Sequence, residues 1–208
     1  MIGVDSPELD ESREDVLFWA RMAQRFAFHH LYRKKVSLSF DWEPRDKYGR
    51  LLAYIRTAGG ILFNESIIRQ GFAAALLAFP FEEKYRVLFQ RAEKEARQEG
   101  RGMWRKGEPP VVPAAEAAPF AGRLLIVRFT CLEAELRRGF VYLKAKGAEF
   151  EALIPRESMS LFPEWRSFPG RDLAVKGFLE VFKGIPQTIV YSPVQLTAKS
   201  SKPPAAAP

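Results

Sequence analysis

Two short clusters in this 208-residue chain hold side chains suited to the chemistry of a phosphate ester. Asp5-Ser6-Pro7-Glu8 sets two carboxylates beside a proline, whose ring restricts the backbone between them. Carboxylate oxygens suit a hard cation, and one of the pair can take a proton from water. Asp46-Lys47-Tyr48-Gly49-Arg50 reads as a tight turn that offers an ammonium, a phenol and a guanidinium. Arginine can make two parallel hydrogen bonds to one phosphate, which lysine cannot copy, and Gly49 allows the turn a positive φ. Taken singly, the first cluster is also ordinary for a solvated turn ahead of a helix, and the second for a hairpin tip.

The elements that must position these residues follow from apolar spacing. Residues 1–4 read as the end of a strand. Ser12 is the expected N-cap of a helix whose Val16, Trp19, Ala20, Ala23, Phe26, Ala27 and Leu31 share one face. Val36, Leu38 and Phe40 alternate with serines, the pattern of a half-buried strand, and residues 51–57 return from the turn as its partner. Gly59-Gly60 makes another turn, and Asn64 is the expected cap of a short helix ending at Gly71. An amphipathic helix is expected over 81–99, stopped by Gly100. His29 and His30 read as surface residues or partners of a helix C-terminal dipole, and no cysteine or third histidine completes a zinc set. Cys131, the only cysteine, excludes an intramolecular disulfide and reads as a small apolar strand residue.

The hydrophobic content of 47% is that of a globular protein, and a formal charge of +7 favours a polyanionic partner. The run KGEPPVVPAAEAAP over 106–119 reads as a semi-rigid linker. The expected division is 1–107, a linker at 108–119, a second domain at 120–198 and a disordered tail at 199–208. Residues 1–107 carry 19 basic against 15 acidic side chains, and residues 120–199 carry 12 against 8. Neither half is therefore an acidic counterweight to the other. Strands expected at 123–130, 140–146, 150–154, 173–181 and 188–191, with a short helix or loop near 155–165, suggest a small barrel. No apolar run approaches the ~20 residues of a membrane span.

The ordered series of motifs resembles the thermonuclease, or staphylococcal-nuclease-like, family. It runs from Ile2-Gly3-Val4-Asp5-Ser6-Pro7-Glu8 through Asp46-Lys47-Tyr48-Gly49-Arg50-Leu51-Leu52-Ala53-Tyr54 to Asn64-Glu65 and Arg69-Gln70-Gly71. It closes between Glu93 and Gly102-Met103-Trp104 and covers half of the chain. The resemblance implies a mainly β fold with helices (α+β), an OB-type five-stranded barrel whose first strands are not in this sequence. It also implies calcium-dependent hydrolysis of DNA and RNA with little sequence preference, leaving a 3′-phosphate. By position, it implies Glu8 as general base and Arg50 as the guanidinium on the phosphate and leaving oxygen. Lys47 and Tyr48 are implied to line the phosphate pocket, and Asp5 with the Ser6 carbonyl to hold calcium.

Members of that family also carry an arginine just before the Asp-x-Pro-Glu segment and a metal-binding aspartate farther upstream. Their place falls ahead of Met1. Two expectations compete: an internal start in a longer nuclease, which the intact later motifs favour, or a non-catalytic nucleic-acid-binding or scaffold protein. Leu77 and Phe79 stand where the best-known member has tyrosines near the base, so stacking there is expected to be weaker or differently built. The expected partner is DNA or RNA and the expected state a monomer. Export to the periplasm or medium is expected if a signal segment lies upstream, and the cytoplasm otherwise. More weakly, residues 120–198 resemble an OB-type nucleic-acid-binding domain, a second small barrel. Arg137, Arg138, Phe140, Tyr142, Lys144 and Phe182 are its candidates for stacking bases and tracking phosphates, unless the aromatics are simply core.

Overall fold

The computed structural model describes residues 1–10 and 12–198, so the expected tail lies outside the described residues. The fold is α+β, in two compact units that part between Glu108 and Pro109.

In the first unit, β1 (Val4–Asp5) pairs antiparallel with a strand reached much later in the chain. Helix α1 (Glu14–Leu31) buries Ala20, Met22, Ala23 and Phe26. Its N-cap is Arg13 rather than the expected Ser12, with no side-chain cap; Arg13 instead pairs with Asp15 in the first turn. Strand β2 (Val36–Ser39) pairs antiparallel with β3 (Tyr54–Thr57). The expectation that β2 is half-buried is wrong: all four residues are exposed, and β3 is its only strand partner among the described residues.

Helix α2 (Phe63–Arg69) buries Phe63, Asn64, Ile67 and Ile68. After it, β4 (Ala74–Ala75) aligns with β1, Val4 against Ala75 and Asp5 against Ala74. Helix α3 (Glu83–Gln98) starts two residues later than expected and packs Tyr85, Phe89, Ala92 and Ala96 inward, one helical stripe. Phe81 stays ahead of the helix, with its ring 5.9 Å from that of Phe89. Gly71 and Gly102 close the unit by direct backbone contact. Met103 N–H donates to Gly71 C=O at 2.9 Å, both glycines have positive φ, and a Cβ on either would run into the other's backbone. This unit holds two two-stranded sheets, a partial strand set rather than a closed ring.

The second unit holds a closed ring of five strands. Strand β5 (Val111–Pro113) runs parallel to the long strand β6 (Leu124–Arg137). From there the ring is β6, β7 (Phe140–Ala145), β8 (Glu151–Pro155), β10 (Ile185–Ile189), β9 (Asp172–Phe182) and back to β6. Only the β8–β10 pair within the ring is parallel. A short β11 (Leu196–Ala198) extends β9 on its other side. Besides β5, strand β6 serves two neighbours in the ring: residues 124–130 pair with β9 and residues 131–137 with β7, with a register shift between Cys131 and Glu133. An extra residue at that point bends the strand, which is how a short sheet closes. Leu125, Val127, Phe129, Val141, Leu143, Ile154, Phe162, Trp165 and Phe168 fill the core. All five strands expected from alternation are present; the notable difference is β6, which runs seven residues beyond its expected end.

Residues 109–119 are not the expected linker. Val111–Pro113 is paired to β6, and Val112, Ala114 and Ala117 are buried in the core of this unit. The prolines and alanines are packing residues, which composition alone does not reveal. Among the described residues no helix is long and apolar enough to cross a membrane.

Candidate active site

Asp46 organises the cationic turn. Its Oδ1 accepts the backbone N–H of Tyr48 and of Arg50, each at 2.9 Å, while its Oδ2 accepts Arg50 Nε at 2.6 Å. Backbone bonds complete the turn, from Asp46 N–H to Arg50 C=O and from Gly49 N–H to Asp46 C=O. Gly49 has φ +78°, as its position in the turn requires. Partial burial works against ionisation of Asp46, but the hydrogen bonds from Arg50 and Tyr48 outweigh it and hold its pKa below the usual value. The same ion pair raises the pKa of the Arg50 guanidinium, which is charged at ordinary pH in any case.

The turn therefore displays its side chains to solvent. Tyr48 is 71% exposed, with Lys47 Nζ 5.0 Å and Arg50 Cζ 5.3 Å from its ring centre. Asp46 occupies only Nε of Arg50; among the described residues neither Nη group has a hydrogen-bond partner. The exposed Glu8 carboxylate lies within electrostatic reach of this guanidinium. The Met1 amino group is also close enough for burial and then Arg50 to lower its pKa.

Asn64 connects the acidic segment to the turn. Its Nδ2 donates to Ile2 C=O at 2.9 Å and to Ala53 C=O at 3.2 Å, and its Oδ1 accepts Ile55 N–H at 2.8 Å. Ile2 leads into Asp5-Ser6-Pro7-Glu8, and Ala53 follows the turn by three residues. A direct bond from Ile2 N–H to Ala53 C=O adds a second tie. Asn64 is fully buried inside α2, whose N-cap is Leu62, so the expected cap is instead a cross-link. Its amide satisfies Ile2 C=O and Ile55 N–H and gives Ala53 C=O a second donor.

The structure thus brings together Glu8, Arg50, Lys47 and Tyr48. Asp5 is the exposed last residue of β1, with Ser6 next to it, three positions before Glu8. Among the described residues no cluster of three or more His, Cys, Asp or Glu side chains is arranged to hold a metal. The donors present are all oxygens, which suits a hard cation, but they are a minority of the six to eight that calcium takes.

Sequence reasoning missed Asp46 and the cross-linking role of Asn64. The signal for Asp46 was available, since an aspartate opening a glycine-containing turn commonly bonds the backbone two residues on. The histidines lie outside this site. Lys34 Nζ bonds a helix-end carbonyl, that of His29, at 2.6 Å. His30 packs against Phe26 and Phe63 with its pKa lowered to about 4, first by burial and then by His29 and Lys34. It is neutral near pH 7 and so is not the expected charged dipole partner.

A family model described as Staphylococcal nuclease homologue matches residues 1–106, two residues short of the end of the first unit. The thermonuclease of Staphylococcus intermedius is 38% identical over 106 residues, which cover 51% of this chain and 62% of the relative. The thermonuclease of Staphylococcus hyicus is 36% identical over 104 residues, covering 50% and 60%. Endonuclease YncB of Bacillus subtilis is 31% identical over 104 residues, covering 50% and 49%. The matched part of the chain thus spans no more than 62% of any of these three relatives.

Proposed function

The chain belongs to the family of staphylococcal nuclease homologues, and from that membership we propose a calcium-dependent nuclease that hydrolyses DNA or RNA with little sequence preference. The observation that carries the proposal is a guanidinium whose two Nη groups have no hydrogen-bond partner among the described residues, with the Glu8 carboxylate within electrostatic reach. A phosphodiester in that position meets a base on one side and a two-pronged donor on the other.

Glu8 takes the proton of the attacking water as the water oxygen bonds to phosphorus. The bond to the leaving oxygen breaks, leaving a 3′-phosphate, and Arg50 binds the charge that builds on the phosphoryl and leaving oxygens. Lys47 and Tyr48 flank the substrate phosphate from the same turn. Asp5 and the Ser6 carbonyl would hold calcium, with water and substrate oxygens completing its shell. When bound, the ion supplies Lewis-acid polarisation of a phosphoryl oxygen. Asp46 positions Arg50 before substrate arrives.

The test is digestion of a labelled oligonucleotide with calcium and with a chelator, for the wild type, Glu8→Gln and Arg50→Lys. Both variants are expected to fold and to lose on the order of 10²–10³ in turnover. Wild-type rates in either would remove that residue from the mechanism. The sparse set of metal donors favours a second reading, a nucleic-acid-binding protein without catalysis. Tight oligonucleotide binding with no calcium-dependent product would select it.

A further inference from the structure

We infer that the second unit carries its own pocket for one unpaired nucleotide of single-stranded nucleic acid, with the base inside and the phosphates at the rim. The pocket, about 270 Å³, lies outside the barrel between two hairpins. Arg137, Arg138 and Tyr142 come from the β6–β7 hairpin, Glu151 from β8, and Phe182, Lys183 and Gln187 from the β9–β10 hairpin. Its volume falls just below the roughly 300–1,000 Å³ of small-molecule sites, which suits one base.

Three observations identify the occupant. Phe182 is 60% exposed, and Tyr142 faces outward from a strand whose alternate residues Val141 and Leu143 are fully buried. These rings are therefore not core. Each has a cation over it: Arg137 Cζ lies 4.1 Å from the Tyr142 ring and Lys183 Nζ 5.7 Å from that of Phe182. Aromatic faces beside cations are how single strands are held, since every base can stack.

The second observation is backbone conformation. Among the described residues only Arg33, Arg138 and Lys183 are non-glycine residues with positive φ, at 55°, 49° and 51°. Two of the three are the tip cations of the hairpins bordering this pocket. Such turns favour glycine, asparagine or aspartate, so a long cationic side chain there runs against local preference. Third, the buried Glu151 lines the pocket, held by Arg137 Nη2 at 3.2 Å and Gln187 Nε2 at 2.8 Å. A buried carboxylate disfavours an anion inside but can accept from a base amino group. A neutral base within and phosphates on Arg138 and Lys183 satisfy all three. A duplex offers no free base.

The inference shares with the proposed function only the class of polymer. Its test therefore uses the whole 208-residue chain with Glu8→Gln in chelator, where binding is read without cleavage. Anisotropy of a fluorescein-labelled single-stranded 12-mer and of its duplex is titrated at several salt concentrations. Phe182→Ala is expected to weaken single-strand binding about tenfold. The double variant Arg138→Asn with Lys183→Asn, which suits a left-handed turn, is expected to keep its melting temperature while the salt slope falls by about 1.4. Unchanged affinity and slope in both variants would overturn the pocket, as would equal losses on duplex. Hydrolysis of a dinucleotide, whose single phosphodiester is held at Arg50 when it is cleaved, is expected to be unaffected by Phe182→Ala; its loss there would also count against a separate site.

Discussion

Asp46 grips Arg50 twice, accepting its backbone N–H through Oδ1 and its side-chain Nε through Oδ2. One carboxylate therefore fixes both where the arginine leaves the chain and which edge of its guanidinium faces outward. The exposed ion pair adds little to stability, so its value is in orientation.

Asp46→Asn retains an oxygen for the two backbone donors, whereas Asp46→Ala retains none. Thermal melts should show Asp46→Ala less stable than wild type and Asp46→Asn closer to it. Turnover should drop in both, more in Asp46→Ala, while Arg50 remains present. Equal activity in Asp46→Ala and wild type would mean that Arg50 needs no such support.

Asn64→Leu removes three hydrogen bonds and leaves Ile55 N–H and Ile2 C=O against an apolar group, while Ala53 C=O keeps only Ile2 N–H. Denaturant unfolding should show a loss of about 3 kcal/mol or more. In the surviving folded fraction, specific activity should fall as well, because Glu8 and Arg50 lose their common anchor. Full specific activity at reduced stability would confine Asn64 to the core.

His30 makes stability depend on pH with a definite sign. Its folded pKa, about 4, lies below the unbound value of 6.5. The unfolded chain therefore binds a proton over that window that the folded chain does not. This contribution is complete above pH 6.5, declines as pH falls toward 4, and is level below that. Allowing for screening of a half-exposed ring, its size is ~1–2 kcal/mol. His30→Phe should narrow the pH 7 to pH 4 difference in unfolding free energy by that amount. A constant offset between the two proteins across the range would exclude it.

Gly71→Ala and Gly102→Ala each put a methyl group into the other segment's backbone at a positive φ. Both should destabilise the protein by ~1–3 kcal/mol or more. Gly107→Ala, with a similar φ but open space around it, should cost less. Chemical denaturation of the three variants checks the order.

Much of this was legible because period and spacing are local properties. The apolar stripe Tyr85, Phe89, Ala92 and Ala96 announces α3, and the alternation Val141, Leu143, Ala145 announces β7. The Asp5–Glu8 segment and the 46–50 turn were visible as residue types at fixed intervals. What was hidden depends on contacts between distant residues. Asn64 looks like a cap until Ile2, 62 positions away, comes beside it. Val36 and Leu38 alternate like a half-buried strand although every residue of β2 is exposed. Val112, Ala114 and Ala117 look like spacer until β6 gives the first of them a partner.

The irregularity between Cys131 and Glu133 has an effect at the far end of its strand. Before it, odd-numbered residues Leu125, Val127, Phe129 and Cys131 face the core; after it, Ala134 does. That change of parity is what turns Arg137 toward water. Were the strand to run through Leu132 with unbroken alternation, Glu133, Glu135 and Arg137 would face the barrel's oily centre, so one bulged residue decides whether this hairpin can present positive charge to a ligand at all.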